Sequence, residues 1–420
     1  MSEQEVEVGL GKSNVNSTPQ NATWDATVID KLPTTTFYPT NSLQFLHKLE
    51  KERLNESAKE PPIPEANVQL RIVIVSAGLD GLATSIALAQ CGHRVIVLEQ
   101  AQQLSKVGAD VQIPSNVARL LERWGVLPFL VDKAAEPHDI TLQSFGAPSY
   151  VVHRAHFHEA LYERAKELGV DVRVNSKVVK YDLEAPAAMM ENNTILRADL
   201  VVAADEVNST ARRFILGGTG QAPTPAGFYS ILDQLSLNLW IGPDGHVMTY
   251  TMAAGSSFSL SDIQDMRRDF ADWDLKLVKI INMVEKTMKR PLLAGPPLPT
   301  WLAPSCRILI LGDTAHSMLP YMSQAAAMAV KDGAALATVL NFIEDRDALP
   351  FALRTLGRER LKRASHMQEA SRGKHFMVSA NQRSDPVTQL WAYGYDPKGA
   401  MKKAWKAVIR NGCEFKRWQN

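Results

Sequence analysis

The stretch RIVIVSAGLDGLATSIALAQCGHRVIVLEQ, residues 71–100, decides the fold class of this chain. Residues 72–75 form a fully apolar, β-branched run of the kind found in buried parallel strands. Residues 82–90 are rich in alanine and leucine, as in a helix that packs closely on a sheet. Residues 95–98 repeat the strand pattern, and the acidic residue Glu99 follows them. The order of strand, glycine turn, helix, strand and acid predicts a βαβ unit of the dinucleotide-binding type.

The turn of this unit departs from the usual G-x-G-x-x-G pattern, because it reads SAGLDG. Gly78 would let the backbone approach a pyrophosphate, and Gly81 would let the helix pack on the strand. Free N–H groups at the start of the helix would hold phosphate oxygens. Ser76 carries a modest cost if its φ stays negative. Asp80 brings a carboxylate near two phosphate charges, which at ~6 Å and an effective dielectric constant of ~20 repels each by roughly 3 kcal/mol, and less where water screens it. An ordinary βαβ unit without a ligand is the alternative.

The composition of the chain limits the classes of protein to which it can belong. The chain has 420 residues, of which 45% are hydrophobic and 22% charged, and this predicts two or three globular domains. A net charge of +1 argues against a nucleic-acid partner. The three cysteines lie far apart, without metal-ligand or disulfide spacing. The acidic start lacks the apolar region of a signal peptide, and no apolar run reaches ~18 residues. We therefore expect a cytoplasmic protein with no membrane span and no metal.

A second segment indicates which type of dinucleotide the chain binds. RILILGDTAHSMLPYMSQAAAMAVKDGAALATVL, residues 307–340, places Asp313 directly after a buried strand, followed by a proline-containing turn and the start of a helix. In this arrangement the acid can bond a ribitol hydroxyl while N–H groups at the helix start face a flavin ring. A dehydrogenase that used only NAD(P) would have no use for this segment.

Together the two segments resemble the class A flavoprotein monooxygenases, in particular the fungal salicylate-hydroxylase-like branch. The resemblance runs from about Arg71 to Arg372. Two further motifs lie between them: HRAHF at residues 153–157 is similar to the family's "HRADL"-type stretch, and Asp205 begins a segment similar to its DG motif. The four motifs follow one another in the family's order.

The resemblance implies FAD as the cofactor and assigns roles by position. Glu99 would bond the adenosine ribose, and Arg154 would lie along the pyrophosphate or the flavin. Asp205 would belong to the segment that serves both FAD and NAD(P)H, and Ala326 would offer a backbone N–H near the ring. A surface ion pair or a loop cap is the alternative for Arg154 and Asp313. The predicted cofactor-binding residues are Ser76, Gly78, Gly81, Glu99, Asp110, Arg154, Asp205, Gly312, Asp313 and Ala326.

The implied reaction is hydroxylation of an aromatic or similarly electron-rich ring with NAD(P)H and O₂, in which the cofactor performs the difficult step. His246 and Tyr250, within HVMTY, are the candidate catalytic residues. They stand four residues apart in a predicted strand and so face the same side. If that side lines a cavity, the pair could orient a phenolate. The alternative is a pair that faces the core or the solvent.

The expected fold is α/β: a Rossmann-like FAD-binding domain of three-layer ββα/α type, an inserted antiparallel-sheet substrate domain and a helical C-terminus. Strand-like runs on either side of Asp244-Gly245 predict a hairpin, and residues 264–290 have the pattern of an amphipathic helix. The expected divisions are a disordered tail with one short helix (1–66), the first part of the FAD-binding domain (67–145), its continuation with substrate-domain strands (146–220), the substrate domain (221–300), the last part of the FAD-binding domain (301–345) and a C-terminal helical region (346–420).

Several departures from the family's pattern fall on the predicted cofactor path. Carboxylates replace glycines at Asp80, Asp110 and Glu206, and Lys331 replaces an acid. If each carboxylate weakened binding by ~1.4 kcal/mol, affinity would fall tenfold apiece. Two hypotheses follow: a working FAD monooxygenase with a loosened cofactor site that acts on a fungal aromatic metabolite, or a flavin-poor relative retained as a cofactor-independent catalyst or a binding protein. The sequence leaves open the substrate, the choice of NADH or NADPH and the oligomeric state.

Overall fold

The computed structural model describes residues 62–104, 110–135, 147–218, 223–231, 238–241, 246–249, 267–268, 270–272, 275–283, 289–319, 324–372 and 391–410. The expected N-terminal tail and its short helix lie outside these residues.

Five parallel strands form the central sheet, in the order β15-β10-β1-β2-β6. Ile72 of the middle strand is in register with Val95 on one side and Leu200 on the other. The strands, numbered along the chain, are β1 (Arg71–Val75), β2 (Arg94–Leu98), β3 (Asp110–Ile113), β4 (Ala134–Ala135), β5 (Tyr150–His153), β6 (Asp171–Arg173), β7 (Val178–Asp182), β8 (Ala187–Met190), β9 (Ile195–Arg197), β10 (Leu200–Ala203), β11 (Thr224–Ile231), β12 (Asn238–Ile241), β13 (His246–Thr249), β14 (Lys289–Ala294) and β15 (Ile308–Ile310).

The sheet forms from the apolar runs that the sequence predicts as strands. All four residues of β10 and all three of β15 are buried, as are four of the five residues of β1. Strands that are covered on both faces need apolar side chains on both, and this explains the unbroken runs of valine, isoleucine and leucine.

One edge of this sheet collects the predicted site residues. Parallel strands end at the same edge, and here Ser76 follows β1, Glu99 follows β2, Asp205 comes two residues after β10, and Gly312 comes two residues after β15. Open α/β sheets bind ligands outside the carboxyl ends of their strands. The topology therefore brings together four segments that are far apart in the sequence.

Helices cover the sheet and meet each other closely. Gly333 lies where two of them cross, because a Cβ at that position would come within 2.9 Å of the Thr84 Cα. The helices, numbered along the chain, are α1 (Leu79–Ala89), α2 (Ser115–Arg123), α3 (Arg154–Glu167), α4 (Thr210–Ile215), α5 (Leu275–Met283), α6 (Asp313–His316), α7 (Ala325–Leu340), α8 (Leu349–Arg372) and α9 (Pro397–Arg410), with short 3₁₀ segments at Leu127–Phe129, Val131–Lys133 and Arg346–Ala348.

Antiparallel strands make up the rest of the β structure: β3-β5-β4, β7-β8-β9, β11-β14 and β12-β13. The hairpin expected around Asp244-Gly245 is confirmed in its pairing, since Ile241 of β12 lies opposite His246 of β13. The long helix expected over residues 264–290 is wrong in its extent. The helix that is described there is α5, and β14 already begins at Lys289, where it pairs with Ile231. Pairing with β11 satisfies the backbone of that segment in place of further helical turns.

The C-terminal region is helical, as expected. Trp405 of α9 stacks on Phe342 at a centroid distance of 5.6 Å and meets Phe351 edge-on at 5.3 Å. The parallel sheet, the antiparallel sheets and these helices confirm the predicted fold class, while the domain boundaries stay predictions. Every helix in the described part of the chain is too short or too polar to cross a membrane. Within the same residues, no group of three or more His, Cys, Asp or Glu side chains could hold a metal ion.

Candidate active site

The turn after β1 is as tight as a glycine turn, although it begins with a serine. Ser76 has a φ of +87°, so the condition under which the sequence analysis rated its cost as modest is not met. A Cβ at Gly81 would lie 2.0 Å from the Ser76 carbonyl oxygen, which means that the strand and the helix touch there backbone to backbone. This close approach dictates the conformation of the turn. Ser76 adopts the left-handed region at a cost on the order of 1–3 kcal/mol.

The first turn of α1 is open to a ligand. Gly78 caps the helix with an extended backbone (φ −68°, ψ −178°), and a Cβ on it would meet only Ser76 Oγ at 3.6 Å and Glu206 Oε1 at 4.0 Å. The first intrahelical hydrogen bond of α1 runs from Leu82 N to Gly78 O. The N–H groups of residues 79–81 precede it and point out of the helix start. Together with the helix dipole, they favour an anion.

Glu99 lies beside this turn at the end of β2. Its Oε2 accepts a hydrogen bond from Ala77 N at 2.8 Å, and its Oε1 accepts one from Ala101 N at 2.9 Å. These bonds hold the half-buried carboxylate against the turn. A carboxylate can accept about four hydrogen bonds, so both oxygens retain capacity for ligand hydroxyls.

Asp80 connects α1 to the start of α6. Its Oδ2 accepts a hydrogen bond from Asp313 N at 3.0 Å. Gly312, at φ +61°, is the residue that permits this contact, because a Cβ there would lie 1.7 Å from the same oxygen. Burial raises the pKa of Asp80 to about 7, and the nearby Asp313 carboxylate adds to the rise. The sequence suggested that water would screen this charge, whereas the structure buries the side chain in part.

Arg154 forms an ion pair with Glu206, another residue on the predicted cofactor path. Its Nη2 lies 3.3 Å from Glu206 Oε1, and both side chains are largely exposed. Such a pair contributes little to stability. Glu206 also takes a left-handed backbone, with a φ of +62°, at the position where the family's pattern has glycine. The backbone thus keeps a glycine-like shape while the side chain places a negative charge near Gly78.

Asp205 holds the surrounding segments together. Its Oδ2 accepts hydrogen bonds from Thr210 N at 2.9 Å and Ala211 N at 3.4 Å, at the start of α4. Its Oδ1 lies 3.4 Å from the Thr314 hydroxyl of α6. The carboxylate therefore shapes the edge of the site from within the protein. Its predicted role toward FAD and NAD(P)H stays a prediction.

The start of α7 offers a second set of backbone donors. Gln324 caps the helix, and Met328 N makes the first intrahelical bond, 2.7 Å to Gln324 O. Ala326 is half-buried in the first turn, before this bond begins the ladder. Its N–H is one of those left without a partner inside the helix. Its role toward a flavin ring stays a prediction.

A fully buried ion cluster that the sequence did not reveal supports the loop after β15. Asp332 Oδ2 lies 2.6 Å from His316 Nε2, and Asp332 Oδ1 accepts a 2.6 Å hydrogen bond from Arg360 Nε. Gly312 N adds a bond of 3.3 Å to Asp332 Oδ2. Burial alone would raise the pKa of Asp332, but Arg360 and His316 hold it below its usual value. The available signal was a charged pair, Lys331-Asp332, within an otherwise apolar helix.

Lys331 is also fully buried, and it donates a hydrogen bond to Gln324 Oε1 at 2.8 Å. Burial lowers its pKa well below the usual value, and the positive charges of Arg363 and Arg360 add to the shift. This hydrogen bond ties the cap of α7 to the second turn of the same helix.

Three predicted residues have no described side-chain environment. Asp110 begins β3, where its backbone pairs with His153, next to the start of α3. His246 begins β13, while Tyr250 lies outside the described residues. The side chains of Asp110 and His246 also lie outside what the structure describes. The catalytic pair therefore stays a prediction.

Known proteins place this geometry in a family. A sequence profile described as "FAD binding domain" matches residues 69–271. The FAD-dependent monooxygenase atnJ of Arthrinium sp is 32% identical, over 73% of this chain and 85% of its own length. The 6-hydroxynicotinate 3-monooxygenase of Bordetella bronchiseptica (strain ATCC BAA-588 / NCTC 13252 / RB50) is 29% identical, over 78% and 95%. A solved salicylate hydroxylase with substrate has the same fold, with a TM-score of 0.63 at 20% identity, over 80% of this chain and 98% of its own.

These findings confirm the expected cofactor class and favour the working enzyme over a flavin-poor relative. The family match spans the glycine turn, Glu99, Arg154 and Asp205. The relatives match 73% and 78% of the chain, which is more than this family match spans. The chain belongs to the FAD-dependent monooxygenases.

Proposed function

We propose that this protein hydroxylates an aromatic or similarly electron-rich ring of a small fungal metabolite, using FAD, NAD(P)H and O₂. The observation that carries the proposal is the convergence of four segments at one edge of the sheet, where the open first turn of α1 and Glu99 adjoin the start of α6. The relative named 6-hydroxynicotinate 3-monooxygenase supports an aromatic substrate, and the relative from Arthrinium supports a fungal setting.

The residues present fit the cofactor. The space beside Gly78 would take a pyrophosphate, since a Cβ there meets no atom closer than 3.6 Å. The N–H groups of residues 79–81 would donate to its oxygens, and Glu99 would accept from ribose hydroxyls. Asp313 would bond the ribitol chain, and the Ala326 N–H would face the ring. These roles are the part of the proposal that mutagenesis can test residue by residue.

FAD, when bound, supplies the electron transfer from NAD(P)H and the activation of O₂. The protein's own task is to hold and orient the substrate and to keep water from the reacting atoms. We assign substrate orientation to His246 and Tyr250, whose segment follows β12 in the antiparallel region. A neutral histidine beside a phenol could take its proton and so raise the electron density of the ring. A tyrosine hydroxyl could donate a hydrogen bond to the resulting phenolate oxygen.

The proposal places the enzyme in the cytoplasm, where NAD(P)H is available, and fractionation of the producing cells tests this point. The oligomeric state is left to measurement.

The visible spectrum of the purified protein, with and without added FAD, is the first test. We expect flavin absorbance near stoichiometry after addition of FAD, and oxidation of NADH or NADPH stimulated by a small phenol or by 6-hydroxynicotinate. Mass spectrometry then looks for one added oxygen atom in the product. Colourless protein that neither binds added FAD nor oxidises NAD(P)H would refute the proposal. His246→Asn and Tyr250→Phe should slow product formation while flavin absorbance is kept.

A further inference from the structure

Asp80 occupies an unusual place for a carboxylate. It belongs to the first turn of α1, whose N–H groups are those proposed to receive the FAD pyrophosphate. Its Oδ2 reaches across to Asp313 N at 3.0 Å, and the absence of a side chain on Gly312 makes room for it. The carboxyl thus lies on the ligand side of the turn, against the start of α6. It is fastened there by a backbone donor rather than directed into solvent.

Charges of both signs face Asp80 from two helices. On α6, the Asp313 carboxylate opposes the Asp80 charge and His316 favours it, and on α3 the Arg154 guanidinium favours it. Arg154, however, lies against Glu206 Oε1 at 3.3 Å, which offsets much of its charge. His316 is held by Asp332 at 2.6 Å, so its charge is balanced in the same way. Among the residues that the structure describes, no cation forms a salt bridge with Asp80 itself.

An ionised Asp80 and a bound pyrophosphate would therefore be close like charges in partly dehydrated surroundings. At ~6 Å and an effective dielectric constant of ~20, the repulsion of each pair of charges weakens binding on the order of 100-fold. A protonated Asp80 has no such charge, and its O–H can donate a hydrogen bond to a phosphate oxygen. The same side chain is an obstacle in one protonation state and a ligand in the other.

We propose that Asp80 gates the cofactor site: FAD docks on the first turn of α1 with the Asp80 carboxyl protonated, and the ionised carboxylate, held by Asp313 N–H, opposes docking. This inference rests on the proposed FAD site and adds its regulation by pH. It assigns to Asp80 a positioning role toward the phosphates, and no step of the reaction.

The direction of the pH effect follows from the state of the free protein. Burial, followed by repulsion from Asp313, raises the pKa of Asp80 to about 7. Near pH 6 the Asp80 carboxyl is protonated in most molecules, so they can bind FAD directly. Near pH 8 it is ionised in most molecules, so they must take up a proton when FAD binds. By linkage, FAD affinity then falls as pH rises above 7, by up to about tenfold per unit.

The test is the dissociation constant of FAD, measured by quenching of flavin fluorescence in the full-length protein freed of cofactor, from pH 6 to 9 at constant ionic strength. Asp80→Asn keeps an acceptor for Asp313 N–H but cannot ionise, and Asp80→Gly removes the side chain. Relative to Asp80→Asn, the wild type should bind equally at pH 6, about 10-fold more weakly at pH 8 and about 100-fold more weakly at pH 9. Asp199→Asn is the matched control, because Asp199 pairs with Arg71 at the opposite edge of the sheet. It should retain the wild-type slope.

The outcomes separate this inference from the proposed function. If the wild type and both Asp80 variants bind FAD with the same pH dependence, the proposed gating role of Asp80 is overturned and the proposed monooxygenase function is unaffected. Variants that bind FAD at pH 8 where the wild type does not would support the gate. Failure of all three proteins to bind FAD between pH 6 and 9 would overturn both. Circular dichroism of each variant establishes that it is folded, and Asp80→Gly decides the question if Asp80→Asn is not.

Discussion

Single backbone positions set the shape of the cofactor turn, and the two glycines in it have different tasks. Gly81 is required by packing, since a Cβ there would lie 2.0 Å from the Ser76 carbonyl oxygen, which belongs to the backbone and cannot move aside. Packing does not require a glycine at position 78, since a Cβ there makes only ordinary contacts, and we propose that the ligand does. The sequence pattern alone shows two glycines and does not distinguish them.

Alanine at each position should separate packing from binding. We expect Gly81→Ala to lower the free energy of unfolding by about 1–3 kcal/mol or more, as overpacking does. Gly78→Ala should leave it within about 0.5 kcal/mol but weaken FAD binding, because the methyl group fills the space beside the phosphates. Urea unfolding and FAD titration measure the two effects. Equal destabilisation by both substitutions would argue against this division of roles.

Ser76 does not meet the condition of a negative φ on which the sequence analysis rated its cost as modest. A negative φ would be cheaper for a serine, but the contact between Gly81 and the Ser76 carbonyl dictates the turn, and the observed φ is +87°. Ser76→Gly removes the left-handed strain of a residue with a Cβ. We expect a gain of up to about 1 kcal/mol in the free energy of unfolding, read from the urea midpoint. Loss of stability would mean that the Ser76 Oγ bond to Gly78 N, at 3.3 Å, contributes more than the strain costs.

Among the helices and strands, the sequence predicted those whose periodicity and composition are clear. β1, α1 and β2 have unambiguous patterns, and so do β10 and α7. The extent of α5 was wrong, because residues 289–294 have a partner strand in β11 that only the tertiary structure supplies. The ion cluster around Asp332 was missed for a related reason. Its members stand on α6, α7 and α8, and only the fold brings His316 and Arg360 to either side of one carboxylate.

This cluster should be a main source of stability for the loop that carries Asp313. Asp332→Asn leaves the Arg360 charge buried without its partner, and the loss of one member of a buried pair costs about 3–5 kcal/mol. Urea unfolding of the cofactor-free protein measures the loss. Glu191→Gln is the matched control, because it breaks the exposed pair with Lys177 and should cost less than about 1 kcal/mol. Similar small losses in both variants would contradict a structural role for the buried cluster.

At the scale of the whole molecule, one sheet edge organises both the fold and the site. The order β15-β10-β1-β2-β6 explains why motifs separated by more than two hundred residues act together: Asp80 and Asp313 are 233 positions apart and share a hydrogen bond. The motif order in the sequence predicted this assembly. The pKa of Asp80 could not be predicted from the sequence, because it depends on how much water the assembled sheet edge excludes.

That assembly makes the stability of the cofactor-free protein depend on pH in a defined direction. The folded-state pKa of Asp80 lies near 7, above its ordinary value of 3.8, so its protonated form stabilises the fold. This contribution is complete below about pH 4 and is lost as pH rises through 7.

Asp80→Asn removes the titration. The free energy of unfolding of the wild type, relative to this variant, should therefore decrease between pH 5 and 7, by at most about 3 kcal/mol at 1.36 kcal/mol per unit, and change little above pH 8. Urea unfolding at each pH measures the difference, with Asp199→Asn as the control. A difference between wild type and Asp80→Asn that stays constant from pH 5 to 8 would show that Asp80 is ionised throughout, and would remove the basis for a gate at this residue.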